Sequence, residues 1–293
     1  MNGEAAVPDA ESQSASARSV LGALASFGAR VDLWLQDAGN FARFLAETIR
    51  GLVCFWTWLR WDRLARQLFF IGTMSVPVLA VTGAFIGMIL AIEGYLQFAA
   101  IGQEARLGGV INISLTKQIG PVLAAVILAG RVGSSLTAEL GSMRVTEQLD
   151  AMRAMAADPI RVLVCPRVAA CVVMIPALTI VSNACGVFGG WWVTTQVYEA
   201  NSDQFWQYSS ALVTWFDLFN GITKSLVFGF AIGVISCYKG FNCKPGAVGV
   251  GRATTDSFVT SFLAIVFINL VLAKVLNEID LWRTGGVLRA VFT

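Results

Sequence analysis

Four positions could do chemistry because they are polar where the neighbouring sequence is apolar: Glu93 beside Tyr95, the pair Lys117 and Gln118, and Lys224. An ionised side chain in hydrocarbon costs roughly 3 kcal/mol on insertion scales, so it is kept for a task or it reaches its long stem out to the interface. Both readings stay open for Lys224: an ammonium held inside to receive an anionic group, or one that snorkels. Other chemistries are closed by what the chain lacks. It has no histidine, which removes the commonest general base and the commonest metal ligand. Its six cysteines form no C-x-x-C pair and mostly sit in apolar runs, where they read as small buried hydrophobes. No G-x-x-x-x-G-K-[ST] occurs, so the chain cannot cradle ATP phosphates itself, and no cofactor is expected on it.

The elements that must position these residues follow from composition. With 56% hydrophobic and 14% charged residues and a mean hydropathy of +0.67, the 293-residue chain belongs in a bilayer. Its 21 basic and 19 acidic side chains are too balanced for the counterion release that nucleic-acid binding needs. Residues 67–92 and 168–198 are uncharged runs of 26 and 31 positions, long enough to cross about 30 Å of hydrocarbon, the second with a kink expected at Pro176. Residues 257–273 complete a crossing if Asp256 and Lys274 reach toward opposite interfaces. Two interrupted stretches, about 108–131 with Lys117 and Gln118, and about 213–238 with Asp217 and Lys224, bring the count to five.

Five crossings place the termini on opposite sides. Basic residues beside the spans number eleven on one side, among them Arg60, Arg63, Arg66, Arg144, Arg153, Arg161 and Arg167, and three on the other, which makes the first side cytoplasmic. The expected organisation is therefore a disordered cytoplasmic tail over 1–18, an amphipathic helical region lying in the membrane interface over 19–66, a five-span domain over 67–280 and a short extracytoplasmic tail over 281–293. The interfacial helix is read from Phe41, Phe44, Leu45, Ile49, Leu52 and Phe55 at helical spacing, with Asn40 as N-cap and Trp34, Trp56, Trp58 and Trp61 at headgroup level. The fold class is all-α.

The longest cytoplasmic connection, 131–167, has its own pattern. Val145, Leu149, Met152 and Ala156 form one apolar stripe with Glu147 and Asp150 on the polar side, a short helix that Asp158 before Pro159 should stop. Such a helix docks into a partner's groove or rests on its own bundle. The glycine pairs Gly83/Gly87 and Gly229/Gly233 predict close helix approach, within one chain or between two.

GAFIGMILAIEGY (83–95), IGPVLAAVILAGRVGSSLTAELGSMRVTEQLDAM (119–152), the DP pair at 158–159 and GRATT (251–255) resemble the MlaE-type permease family over roughly residues 40–280. These permeases are membrane subunits of lipid-moving ABC transporters in the bacterial inner membrane that work with Mce-domain proteins. The resemblance implies a homodimer, a cytoplasmic ATPase dimer carrying ATP and Mg and gripping the loop helices, an Mce-domain oligomer on the extracytoplasmic side, and a phospholipid or related lipid as substrate. It assigns Glu139, Arg144, Glu147, Gln148 and Asp150 to ATPase coupling. It assigns Lys224, within K-S-x-V-F, to a lipid pathway together with Lys117 and Gln118, and Glu93 beside Tyr95 at the outer end of the first span is added to that pathway as a candidate. Relatives more often carry glutamate after the basic residue where this chain has Gln118; Glu93 is a candidate for the missing carboxylate. An ion-coupled secondary transporter and an intramembrane lipid-modifying enzyme are the rival readings; the first lacks a visible inverted repeat and the second a nucleophile and base.

Overall fold

The computed structural model describes residues 32, 35–53 and 61–283. The expected tail over 1–18 and Trp34, Trp56 and Trp58 lie outside these residues. One compact unit ends at Glu47 and a second begins at Thr48; apart from the first helix, everything below concerns the second. Among the described residues there is no strand, and five helical stretches are long and apolar enough to cross a membrane: Leu64–Ala100, Glu104–Val145, Ile160–Gln196, Trp215–Phe241 and Ala247–Trp282. The chain is an all-α membrane protein.

A first helix, α1, covers residues 35–53, so Asn40 lies inside it rather than capping it. The first span is two helices, α2 (Trp61–Thr73) and α3 (Val76–Ala100). They are separated at Met74 and Ser75 because Pro77 has no N–H to return to the Thr73 carbonyl. The second span is α4 (Leu107–Ser114), α5 (Gly120–Leu128) and α6 (Ser134–Val145), joined by wider π-helical turns at Leu115–Ile119 and Ala129–Gly133. It thus runs fourteen residues past Arg131, where the charge pattern had ended it. On this continuation Leu136, Thr137 and Leu140 are fully buried.

What remains of the expected loop is short. Glu147 takes a left-handed backbone (φ 58°), which interrupts the apolar stripe and leaves α7 as Gln148–Ala154. Leu149 alone of the stripe is fully buried, and Ala156, also left-handed at φ 57°, closes the segment before Asp158 is reached. Asp158 starts the next helix instead of stopping this one: its carboxylate accepts the Ile160 N–H at 3.0 Å. A π-helical turn at Ile160–Val164 then leads into α8 (Cys165–Gln196).

Two elements exceed the sequence expectation at the other end. An amphipathic helix, α9 (Ser202–Leu212), occupies the connection that stood out in the sequence only for its lack of basic residues, capped by Asn201, whose side chain accepts the Asp203 N–H. Its Ser209 hydroxyl receives the buried Asn112 amide of α4. The last two spans are α10 (Trp215–Phe241) and α11 (Ala247–Arg283), the latter 37 residues long and continuing well beyond 257–273 into the segment read as a tail.

The core gathers on α8: 67% of an 18-residue apolar segment of its span is buried, against 17% for the corresponding segment of α11. Leu79, Leu128, Ala170, Ile175, Phe228, Ile232 and Ile265 form one cluster drawing on all five spans. Both glycine pairs do their packing within the chain: Gly83 and Gly87 lie on Ser182 and Gly186, and Gly229 and Gly233 on Cys171 and Val168. Cys165, Cys171 and Cys237 are buried as small apolar groups, Cys185 and Cys243 partly so.

A side chain at Gly87 would overlap the Gly186 carbonyl, which belongs to backbone and cannot move aside. Gly87→Leu is expected to destabilise the purified chain by about 3 kcal/mol or more, read as a lowered unfolding midpoint in detergent. Gly233→Ala, whose Cβ would meet the Val168 Cα at 3.1 Å, should cost distinctly less.

Candidate functional site

The site grows from a proline. Pro121 carries no N–H, so the Lys117 carbonyl four residues earlier has no α-helical donor. The chain around it adopts the π-helical turn Leu115–Ile119. Gly221 on α10 then lets that helix lie against the turn, since any Cβ there would overlap the Thr116 carbonyl. One helical turn further along α10, the Lys224 ammonium donates to the Lys117 carbonyl at 3.0 Å and to the Gln118 side-chain oxygen. Lys224 is 1% exposed, so the snorkelling reading does not hold in this structure.

Charge in the cluster is arranged unevenly. Lys117 faces two carboxylates, Asp217 at 3.7 Å and Asp280 at 3.8 Å, from α10 and α11. Asp217 also closes the N-terminus of α10, accepting the Thr214 N–H and hydroxyl in a capping box. Lys224 makes no ion pair with any described residue; its partners are a carbonyl and a neutral amide. Asn220, one turn before it and 1% exposed, has no partner for its side-chain amide or carbonyl. The result is a buried ammonium with donor capacity to spare, since an ammonium carries three N–H groups.

Glu93 is not the carboxylate of this cluster. It is exposed on α3 and makes no ion pair among the described residues. Tyr95 instead stacks on Tyr198 with ring centroids 3.9 Å apart, tying the end of α3 to the end of α8. The acidic partners that the structure supplies, Asp217 and Asp280, are about 100 and 160 residues away from Lys117, counted along the sequence. Of these, only Asp217 left a readable sign, the T-x-x-D capping box at 214–217.

At the opposite ends of the spans, the residues assigned to coupling divide into two groups. Asp150 holds Arg144 at 2.9 Å and Arg153 at 3.0 Å, which braces α7 against the end of α6. Glu139 pairs with Arg167 at the start of α8. Glu147 and Gln148 have exposed side chains at the break between α6 and α7. Arg144 and Asp150 thus shape the break at which Glu147 and Gln148 are exposed, while Glu139 belongs to a separate pair with Arg167.

Five apolar spans around a buried ammonium solvated by a carbonyl and an amide are the architecture of a membrane permease. The chain belongs to the MlaE permease family: the family model described as Permease MlaE matches residues 64–275. A probable ABC transporter permease protein of Rickettsia typhi is 39% identical over 244 residues, 83% of this chain and 93% of that protein. One from Synechocystis is 42% identical over 207 residues, 71% and 79% of the two chains. The intermembrane phospholipid transport system permease protein MlaE of Haemophilus influenzae is 35% identical over 214 residues, 73% and 82%.

The contact between Lys224 and Gln118 should appear as energetic coupling. In a double-mutant cycle, Lys224→Met and Gln118→Leu are expected to deviate from additivity by about 1–2 kcal/mol in unfolding free energy. The cycle of Lys224→Met with Glu93→Gln should be additive within about 0.5 kcal/mol.

Proposed function

We propose that this chain is the membrane-spanning half of an ABC transporter that moves phospholipid between membranes. The observation that carries the reading is the fully buried Lys224 without a carboxylate of its own. A cation in that state stabilises an incoming phosphate more than it stabilises the empty bundle, because its desolvation is already complete. Lys117, held by Asp217 and Asp280, completes with Lys224 a cluster of two ammonium groups and two carboxylates that carries no net charge. Gln118, Glu93 and Tyr95 complete the pathway, the first as a ligand of Lys224 and the last two at the rim. The name of the Haemophilus influenzae relative supports phospholipid as the cargo class.

Energy comes from a separate cytoplasmic ATPase dimer that binds ATP and Mg and engages α7 through Glu147 and Gln148. The chain works as a homodimer in the bacterial inner membrane, with the N-terminus cytoplasmic and the C-terminus periplasmic, as the arginine-rich ends of its spans support. An Mce-domain oligomer receives or delivers lipid on the far side. The chain itself catalyses no reaction.

The test is co-purification followed by reconstitution. The tagged chain should recover an ATPase in stoichiometric amount, and proteoliposomes should move phospholipid only with ATP. Lys224→Met is expected to cut that flux roughly tenfold or more while ATPase recovery stays unchanged, since a lost charged contact is worth about 1.5–3 kcal/mol. Glu147→Lys with Gln148→Ala should reduce ATPase recovery. Transport driven by an ion gradient without ATP would overturn the reading.

A further inference from the structure

A second polar site lies at the arginine-rich ends of the first three spans, far along the helices from Lys224. There a cavity of about 270 Å³ is bounded by Arg66 and Gln67 of α2, Glu139 and Met143 of α6, and Leu163 and Arg167 at the start of the third span. Its lining is mixed in a specific way. Arg167 is 3% exposed, and Glu139 occupies one of its terminal nitrogens, leaving Nε and the other terminal nitrogen with no partner. The Gln67 side-chain oxygen is also buried without a partner. Unmatched donors on a cation and an unmatched acceptor therefore belong to side chains that line the same space, with apolar Met143 and Leu163 beside them. Leaving such groups buried and unpaired is costly, about 1–3 kcal/mol for each, and more for a charged one.

We propose that this cavity binds the headgroup of a phospholipid from the adjoining leaflet, one whose headgroup carries a hydrogen-bond donor. The phosphodiester oxygen takes the free guanidinium nitrogens of Arg167, with Arg66 at the mouth. An ammonium or hydroxyl of the headgroup donates to Gln67. The acyl chains leave past Met143 and Leu163 into the bilayer. The location fits, because the arginine-rich ends of spans lie at headgroup level and a lipid reaching this cavity needs no passage through the bundle. A headgroup of this kind is supplied by phosphatidylethanolamine or phosphatidylglycerol and not by phosphatidylcholine, whose trimethylated nitrogen has no N–H. Because Arg167 is tied to Glu139, which lies three residues before Ser142 near the α7 junction, occupancy would stiffen the ends of α6 and α8 that flank α7.

The full chain is reconstituted in nanodiscs holding equal amounts of the three lipids with identical acyl chains, then extracted in mild detergent, and retained lipid is measured by native mass spectrometry. Retention of phosphatidylethanolamine and phosphatidylglycerol over phosphatidylcholine by about fivefold is expected, the worth of one net hydrogen bond. Gln67→Leu should bring that ratio close to one. Glu139→Gln with Arg167→Gln, which removes both charges together, should cut total retention roughly tenfold. Equal retention of all three lipids by the parent chain, or a ratio unchanged by Gln67→Leu, overturns the proposal. So does displacement of the lipid by millimolar inorganic phosphate, which would make the occupant a soluble anion. Lys224 is intact in every arm, so failure here leaves the transport reading standing.

Discussion

A charge inside hydrocarbon must be solvated by the protein itself, and in this chain the solvation of Lys224 begins with a proline. Pro121 withdraws one N–H from the second span, and the carbonyl it strands is the one that Lys224 takes up. Each neighbouring feature follows from that exchange. The helix widens into a π turn where the carbonyl is turned outward, and Gly221 brings α10 close enough for the ammonium to arrive. Gln118, on the same turn, supplies the second acceptor. Without Pro121 the Lys117 carbonyl would take an N–H of its own helix, and the lysine would keep only the Gln118 amide.

The same logic separates the two ends of the bundle. Around Lys117 the acids come from other helices, so the ion pairs cross-link the second, fourth and fifth spans. Around α7 they are local: Arg144, Asp150 and Arg153 lie within ten residues and set the angle of one short helix. Exposed pairs of the second kind are worth little to stability, a few tenths of a kcal/mol to about 1. Their role is to hold a shape at which Glu147 and Gln148 point outward.

Much of this was legible in the sequence, and the boundary of legibility has physical causes. Uncharged length found three of the five spans, the other two were read as apolar stretches interrupted by charge, and glycine spacing found both close helix contacts, because each is a local property. Lys224 stood out because a lone cation in an apolar run has few bland explanations. What escaped were features decided by tertiary packing. Arg131 looked like the end of the second span, but a helix can carry an arginine when a π turn places it, and α6 continues beyond. The stripe from Val145 to Ala156 has helical periodicity throughout, and periodicity says nothing of the left-handed turn at Glu147. α9 was hidden by the opposite bias: its Phe205, Ser209 and Leu212 do recur at helical spacing, yet it sits in a stretch read only for its lack of basic residues. The partners of Lys117 and of Arg167 are far away along the chain, and no spacing rule reaches across that separation.

The length of α11 has one more consequence. At 1.5 Å per residue its 37 residues extend about 55 Å, well beyond the ~30 Å hydrocarbon layer. Near one end Asp280 meets Lys117, and 23 residues earlier along the same helix Ser257 accepts the buried Thr137 hydroxyl. A rod pinned at two well-separated points cannot change its inclination freely. Thinning or thickening of the surrounding lipid, which an unpinned helix would absorb by leaning, must here be taken up by the lipid or be felt as a pull on the carboxylate beside Lys117.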